Sequence, residues 1–256
     1  MNIAVEQRRA EIIELLQKRG SVRVSELSKM YSISEVTVRS DLEYLESQGQ
    51  LSRVHGGAIG TGKLYATMDL SERYMTNAAA KRALAAPAAS LIDDNDTIMM
   101  NAGTTLAYVL HCIQGKKNVN IVTNSIQHAI EISSYPGVNA ILLGGEVDAK
   151  YHFTYGNDAV EQLKRYHAAK CILSVDGIHE RDGLTLYYAN EAPLLRGMIA
   201  ASEEVIIVAD ATKLGRSAFS RVCDLGDVDV LVTGRKDNSP EIEALKEMGK
   251  EVIEVQ

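Results

Sequence analysis

The chain of 256 residues has no long apolar run and only three cysteines. A membrane-spanning helix needs roughly 18 or more apolar residues in a row, and no such run is present, so no membrane association is expected. Charged residues interrupt the apolar pattern at the N-terminus, which argues against a signal peptide. Cys112, Cys171 and Cys223 are odd in number and widely spaced. A disulfide framework is therefore not expected, and a reducing cytoplasm is the predicted location.

Patterns typical of metal or nucleotide sites are also missing. The six histidines include no pair four residues apart and no cysteine cluster, so no metal ligands are predicted. Residues 57–63 have the spacing of a phosphate-binding P-loop, but Leu64 stands where Ser or Thr is required and no buried strand precedes the segment. We therefore expect no cofactor.

The charge is distributed unevenly along the chain. Residues 1–58 contain eight basic and eight acidic side chains, so the whole net charge of −7 lies in residues 59–256. This charge balance argues against a protein that coats nucleic acid through its overall charge. A neutral segment can still bind DNA when its basic groups share one face. The length suits two domains. We place them at residues 1–58 and 76–256, with a polar, glycine-containing linker at residues 59–75.

Three short helices are predicted within residues 1–58. The first covers residues 5–18 and ends at Gly20, and the second covers residues 25–31. Ser34 is a suitable N-cap for the third. The side chains expected to face the core of this domain are Val5, Ile12, Leu15, Leu16, Leu27, Met30, Val38, Leu42 and Leu45.

A wing is predicted after the third helix, at residues 51–58, where Gly56 and Gly57 permit a tight bend. This order is typical of a winged helix-turn-helix, which places one helix in the major groove of DNA. The predicted DNA-binding residues are Ser34, Glu35, Thr37, Arg39, Ser40, Arg53 and His55. The alternative is a small helical bundle whose charges are only solvated, and for His55 a purely structural role stays open.

From residue 76 onward, short apolar runs alternate with helical segments. The predicted strands are residues 97–100, 119–123, 140–143, 171–175, 205–209, 228–232 and 251–255. The predicted helices are residues 78–91, interrupted by Pro87, and residues 105–113, 126–133, 158–166, 192–202 and 240–248. Continuous apolar strands between helices indicate an α/β fold with a mainly parallel sheet that is covered on both faces.

Polar residues follow five of these strands, and parallel sheets bind ligands at the carboxyl ends of their strands. These segments are Asn101–Thr105, Thr123–Ser125, Gly144-Gly145, Asp176-Gly177 and Ala209–Lys213. The amides and hydroxyls of Thr104 and Thr105 suit a phosphate monoester, and Lys213 adds an ammonium group. Taken singly, each segment also fits a plain turn or helix cap. Asp176 is also compatible with a structural role in which its carboxylate fixes a loop. Lys213 is also compatible with a solvated surface charge.

Both parts of the sequence resemble the DeoR family of bacterial transcription regulators. The matching motifs are residues 8–9, 24–27, 34–42, 45 and 53–58 in the first part, and residues 101–105, 123–125, 143–145, 155–156, 175–178, 183–185, 190–192, 209–215 and 219 in the second. The resemblance implies a winged helix-turn-helix followed by a sugar-phosphate sensor domain, similar in fold to ribose-5-phosphate isomerase and the CoA transferases. It implies an effector site lined by Gly103, Thr104, Thr105, Asn124, Gly144, Gly145, Asp176, Glu191 and Lys213. Asn101 stands where members of the family more usually have aspartate. This difference is expected to alter which sugar hydroxyls the site accepts.

The expected function is repression of a carbohydrate-utilisation operon. A homodimer or homotetramer would present paired domains to a double-stranded DNA operator and respond to a phosphorylated sugar or polyol. The alternative is a sugar-phosphate isomerase with a DNA-binding domain, because similar enzymes resemble this chain around Asp176 and residues 194–196. Their glutamate after Arg196 is Gly197 here, and a second acid is His179, so no catalytic residue is predicted. The effector, the operator and the direction of the response stay open.

Overall fold

A computed structural model describes residues 3–19, 21–47, 50–60 and 68–256. Contacts divide the chain into two units, residues 1–68 and residues 69–256. We call them the head unit and the body unit. Gly20, predicted to end the first helix, and residues 61–63 of the P-loop-like segment lie outside the described residues.

The head unit contains three helices and a small antiparallel sheet. Its elements are α1 (Ile3–Arg19), β1 (Ser21–Arg23), α2 (Val24–Tyr31), α3 (Glu35–Ser47), β2 (Leu51–Val54) and β3 (Gly57–Gly60). The strands lie in the order β1-β3-β2. The three predicted helices and the wing are confirmed, and β1 adds a strand to the wing that the sequence did not predict.

The core of the head unit forms where the helices meet the sheet. Ile12, Leu16, Leu27, Val38 and Leu42 are almost completely buried, and each such side chain contributes about 1.5–3 kcal/mol of hydrophobic stabilisation.

One predicted core position in the head unit was wrong. Met30 is 47% exposed. The buried face of α2 runs through Val24 and Leu27 to the half-buried Tyr31, one position beyond Met30.

A buried carboxylate joins α3 to α1. Asp41 Oδ2 lies 2.7 Å from Arg8 Nη2, and Asp41 Oδ1 lies 2.8 Å from Arg9 Nε. The Arg9 guanidinium also stacks on Tyr44, 3.8 Å from the ring centroid. Breaking a buried ion pair by removing one partner costs about 3–5 kcal/mol. These two arginines therefore hold the orientation of α3.

The body unit is built on a seven-stranded sheet. Its helices are α4 (Leu70–Met75), α5 (Ala78–Ser90), α6 (Thr104–His111), α7 (Ile126–Ile132), α8 (Asn157–Leu163), α9 (Ala192–Ala200) and α10 (Pro240–Glu247). Its strands are β4 (Thr97–Met100), β5 (Val119–Thr123), β6 (Val138–Leu142), β7 (Glu146–Asp148), β8 (Phe153–Tyr155), β9 (Ala168–Leu173), β10 (Gly177–His179), β11 (Gly183–Leu186), β12 (Ser202–Ala209), β13 (Ser220–Cys223), β14 (Val230–Gly234) and β15 (Glu251–Val255).

The seven predicted strands are the strands of this sheet. They lie in the order β15-β14-β12-β9-β4-β5-β6, and every neighbouring pair is parallel. Separate apolar clusters cover the two faces. The predicted mainly parallel α/β fold is therefore confirmed.

Other parts of the body unit differ from the sequence reading. The hairpin β7-β8 and the antiparallel sheet β10-β11-β13 were not predicted. Helix α5 continues through Pro87 to Ser90, so the predicted interruption was wrong. Residues 70–75, which the sequence reading placed in the linker, form α4, which begins with a capping box between Asp69 and Glu72.

Candidate functional site

The first turn of α3 presents polar side chains to solvent. Ser34 caps the helix, because its hydroxyl oxygen accepts a hydrogen bond from the backbone N–H of Thr37 at 3.1 Å. Glu35, Thr37, Arg39 and Ser40 are exposed on the same helix. Since Val38 and Leu42 fix the opposite face in the core, these positions form the outer surface of α3.

Both arginines predicted to contact DNA form exposed ion pairs. Arg39 Nη2 lies 2.7 Å from Glu35 Oε2, with side chains 56% and 46% exposed. Arg53 Nε lies 3.0 Å from Glu46 Oε2. Exposed pairs of this kind contribute about 0–1 kcal/mol, so phosphate groups can replace the glutamates at little cost.

The wing is held against α3. Glu46 of α3 also accepts a hydrogen bond from the Arg53 backbone N–H at 2.7 Å, which fixes the position of β2. His55 and Gly56 form the exposed turn between β2 and β3. The structure thus brings all seven predicted DNA-binding residues to the outer surface of α3 and the wing.

In the body unit, the predicted effector residues lie at neighbouring strand ends. The strands β12, β9, β4, β5 and β6 are consecutive in the sheet, and ligands of such sheets bind outside their carboxyl ends. The predicted segments follow these strands in turn. The fold therefore gathers them on one edge of the sheet.

Two buried asparagines lock these ends together. Asn101 donates to the Ser174 carbonyl at 3.1 Å and accepts from the Ser174 backbone N–H at 2.9 Å, which joins β4 to β9. Asn124 Oδ1 accepts from the Ala102 backbone N–H at 2.8 Å, and its amide donates to Glu191 Oε1 at 3.1 Å. The side-chain amide of Asn101 is thus bonded to backbone groups of Ala102 and Ser174.

Gly103 lies at a close approach between two strand ends. A Cβ at this position would lie 2.0 Å from Ser174 Oγ. The Gly103 carbonyl accepts hydrogen bonds from the backbone N–H of Ala107 and, at 3.2 Å, from buried His128 Nε2. Burial lowers the pKa of His128 to about 4, so this imidazole is neutral and braces the turn that opens α6.

Two carboxyl groups lie at the β9 side of the site. Glu191 is buried, and desolvation raises its pKa to about 7, against the hydrogen bond from Asn124. The negative charge of Asp176 contributes to the same increase. Asp176 Oδ2 accepts from the Tyr187 backbone N–H at 2.9 Å. Carboxyl oxygens in this position are suited to accept hydrogen bonds from ligand hydroxyls.

A basic cluster lies beside the first turn of α6. Lys81 of α5 is only 1% exposed and Lys213 only 4%. Lys81 Nζ donates to Thr104 Oγ1 at 2.9 Å. Burial and the positive charges of Lys213 and Arg73 together lower the pKa of Lys81 to about 8, against the raising effect of the Asp210 carboxylate. Like charges gathered in a buried place favour an anionic ligand.

The cluster also contains an acceptor suited to a hydroxyl. Asp210 is buried at the end of β12, and its Oδ1 accepts from the Asn77 amide and the Thr212 backbone N–H. Among the described residues, Asp210 Oδ2 has no hydrogen-bond partner. A buried acceptor without a partner costs about 1–3 kcal/mol, so this oxygen is a candidate acceptor for a hydrogen-bond donor of a ligand.

Gly144 and Gly145 occupy the edge of this arrangement. Gly144 is exposed, and its backbone N–H donates to Gln162 Oε1 at 2.6 Å, so this amide already has a partner. Gly145 has a φ of +128°, which only glycine adopts readily. Thr105 is buried in the first turn of α6.

Sequence reasoning missed Lys81, Arg73 and Asp210 as site residues. Lys81 lay in an alanine-rich helix, and Arg73 lay in the expected linker. A signal for Lys81 was present, because it shares the stripe of Ala78, Leu84 and Ala85, which is the buried face of α5.

Within the described ranges, no group of three or more His, Cys, Asp or Glu side chains is arranged to hold a metal ion. None of the helices in the described part of the chain has the length and hydropathy of a membrane span. The three cysteines are free thiols.

Comparison with known proteins covers nearly the whole chain. Residues 8–61 match the family model of the DeoR-like helix-turn-helix domain, and residues 76–235 match that of the DeoR C terminal sensor domain. The uncharacterized HTH-type transcriptional regulator YulB of Bacillus subtilis is 34% identical over 98% of this chain and 97% of its own length. The putative aga operon transcriptional repressor of Escherichia coli O157:H7 is 31% identical over 96% of this chain and 93% of its own.

Among solved structures, the chain is similar to ribose 5 phosphate isomerase A from Neisseria gonorrhoeae. The likeness covers 56% of this chain and 54% of that one, with 19% identity and a TM-score of 0.38.

Proposed function

Because this chain belongs to the DeoR family of transcriptional regulators, we propose that it represses a carbohydrate-utilisation operon under the control of a phosphorylated sugar or polyol. In this proposal the head unit reads double-stranded operator DNA and the body unit binds the effector. The name of the Escherichia coli relative, a putative repressor of the aga operon, supports the repressor assignment.

The observation that carries the effector assignment is the buried pair Lys81 and Lys213 beside the first turn of α6. A helix start favours a phosphate through its backbone amides and dipole, and two ammonium groups add charge-assisted hydrogen bonds. The carboxyl groups of Asp176, Glu191 and Asp210 supply acceptors for hydroxyl groups. A phosphate on a polyhydroxylated carbon chain satisfies both kinds of group.

We propose that the chain acts as a homodimer or a homotetramer. A neutral head attached to an acidic body binds DNA weakly by charge alone, so two heads at a fixed spacing are needed for a tight complex. The effector would favour an arrangement with another spacing and release the operator. Its differential affinity for the two arrangements is expected to be about 1–3 kcal/mol. The proposal also places the chain in the cytoplasm, where bacterial operators lie.

A catalytic role is the rival function, and the pair of Glu191 with Asp176 is the observation that favours it. A carboxyl group with a pKa near 7 is a suitable general acid or base. The residue at position 197 argues against this role, because similar isomerases carry a glutamate there and this chain has Gly197. A Cβ on Gly197 would lie 2.7 Å from buried Leu163 Cδ2, so a side chain there would point into the contact between α8 and α9. We therefore propose a sensor without turnover.

The proposal is tested by a thermal-shift screen of phosphorylated sugars and polyols, each paired with its unphosphorylated form. A ligand at about 100 times its Kd stabilises the folded state by about 2.7 kcal/mol, which raises Tm by several degrees. Each hit is then added to the protein bound to its own promoter DNA. The proposal expects a phosphate-dependent hit that lowers DNA affinity. It fails if no compound binds while DNA is held unchanged, and product formation by NMR would favour the rival.

A further inference from the structure

Helix α4 is the first element of the body unit, and hydrogen bonds attach it to the candidate effector site. Lys81 Nζ donates to the carbonyl oxygen of Arg73 as well as to Thr104 Oγ1. The Tyr108 hydroxyl of α6 donates to the carbonyl oxygen of Tyr74 at 3.2 Å. The backbone of α4 is thus joined to α5 and α6 near the start of α6.

The side chain of Arg73 makes a further attachment. Its guanidinium carbon lies 4.3 Å from the Tyr151 ring centroid and 5.4 Å from the Tyr188 ring centroid. Its positive charge also acts on Glu191, where it lowers the pKa. One residue of α4 therefore touches the basic cluster through its carbonyl group and faces the carboxyl groups through its side chain.

The carbonyl oxygen of Arg73 and a ligand phosphate differ in strength as acceptors for the ammonium group of Lys81. The carbonyl oxygen of Arg73 is neutral, whereas a phosphate at the start of α6 would carry a charge of about −1.5 to −2 at pH 7. Hydrogen bonds between ionised partners are roughly twice as strong as neutral ones. A phosphate beside Thr104 and Lys213 would therefore attract the ammonium group away from the carbonyl oxygen.

On the basis of the proposed function, we propose that Lys81 binds the effector phosphate and that this binding breaks the Lys81 hydrogen bond to the backbone of α4, which loosens the helix. The loosened helix begins at Leu70, one residue after the body unit starts, and therefore adjoins the head unit in the sequence. Occupation of the site is thereby converted into a change at the beginning of the body unit. The hydroxyl-bearing part of the ligand is not required for this step, so inorganic phosphate alone should produce it.

The test is hydrogen exchange of the full-length protein, measured by mass spectrometry on peptides that cover residues 70–76. Inorganic phosphate is compared with potassium chloride at equal ionic strength, and ³¹P NMR line broadening reports binding. In the wild type, phosphate should raise the exchange rate of this segment about tenfold. Lys81→Met should exchange at the faster rate without phosphate, and phosphate should cause no further change.

Two other lysines provide controls. Lys213→Met removes a cation from the same cluster, so more phosphate should be needed, but the exchange of residues 70–76 should start slow and still rise at saturation. Lys170 also bonds a backbone carbonyl, that of Leu91, at the opposite edge of the sheet, and Lys170→Met should leave the response intact.

The outcomes separate this inference from the proposed function. Phosphate that binds without changing exchange in residues 70–76 overturns the role of Lys81 and leaves the proposed function standing. Absence of inorganic phosphate binding also overturns this inference, whereas the proposed function is decided by the screen of phosphorylated sugars and polyols. If Lys81→Met does not fold, the phosphate response of the wild type decides alone.

Discussion

The two units hold their functional charges in opposite ways. In the head unit, Arg39 and Arg53 lie at the surface, each in an ion pair with a glutamate of α3. In the body unit, Lys81 and Lys213 are almost completely buried beside the start of α6. The arginines of the head unit can exchange their partners with solvent groups, whereas the lysines of the body unit are enclosed by the protein.

This difference suits two kinds of ligand. DNA presents many phosphates to a broad surface, and exposed pairs worth about 0–1 kcal/mol are easily replaced. A small metabolite presents one phosphate, so its site must be organised in advance and must exclude water. Buried charges provide that organisation at a cost in stability. Substitutions in the body unit should therefore have larger effects than substitutions in the head unit.

The largest effect is expected for the stability contribution of buried Glu191. Its pKa is raised from 4.5 to about 7 in the folded state, so the folded protein holds an extra proton between these pH values. The wild type should lose up to about 3 kcal/mol of stability as pH rises through this window. Glu191→Gln keeps the acceptor for Asn124 and should remove that loss. Urea unfolding of both proteins from pH 4.5 to 8 measures this loss of stability.

The effect of Glu191 is the difference in the free energy of unfolding between Glu191→Gln and the wild type at each pH. His128 has a pKa lowered to about 4, so its contribution rises with pH between about 4 and 6.5 and opposes that of Glu191. Glu203→Gln, at an exposed position, is the matched control. A difference curve for Glu191→Gln that is as flat as that of the control would contradict the burial argument.

The next largest effect concerns effector affinity. Lys213→Met removes one charge-assisted contact to phosphate, which is worth about 1.5–3 kcal/mol, or roughly a 10- to 150-fold increase in Kd. Thr104→Val should weaken binding in the same direction, while operator affinity without effector stays unchanged. Isothermal titration with the phosphate-dependent hit measures both variants. A loss for Lys170→Met as large as that for Lys213→Met would show a general effect of charge.

In the head unit, Arg39→Ala should weaken operator binding and leave effector binding intact. A side chain that reads a base contributes about 1–3 kcal/mol of discrimination. Fluorescence anisotropy against the operator and a scrambled duplex separates base reading from phosphate contact. Arg82→Ala, an exposed arginine of α5, is the control. Full operator affinity in Arg39→Ala would remove the assignment of α3 as the recognition helix.

The smallest effect is expected for Glu46→Gln. This change removes the negative partner of Arg53 but keeps an acceptor for the Arg53 backbone N–H. DNA affinity should rise by at most about fivefold, because the exposed pair contributes about 1 kcal/mol or less. Anisotropy titrations at several salt concentrations measure it. A marked decrease would mean that the pair positions the wing and is not exchanged for phosphate.

Much of the fold follows from local patterns in the sequence. The runs at Thr97–Met100 and Val119–Thr123 are mostly apolar, as is typical of strands that are buried on both faces, and their bounds were predicted without error. Strands β7 and β10 have three residues each. Runs this short carry too little periodicity to be recognised, and their pairing is decided by tertiary packing.

The candidate site was only partly predictable for a related reason. Thr104 and Asn124 follow strong strand signals, so their position at the sheet edge could be expected. Lys81 enters the site only because α5 packs on the sheet, and Arg73 enters it because residues 70–75 form a helix. The proposed response of α4 depends on these two residues, so sequence motifs alone did not suggest it.

The most direct test follows the release of labelled operator during titration with the phosphate-dependent hit, in the wild type and in Lys213→Met. The two proteins should bind DNA equally well without the ligand, and the variant should need roughly 10- to 150-fold more of it for half release. Equal midpoints for the two proteins would contradict the claim that a phosphate held by buried lysines controls the head unit.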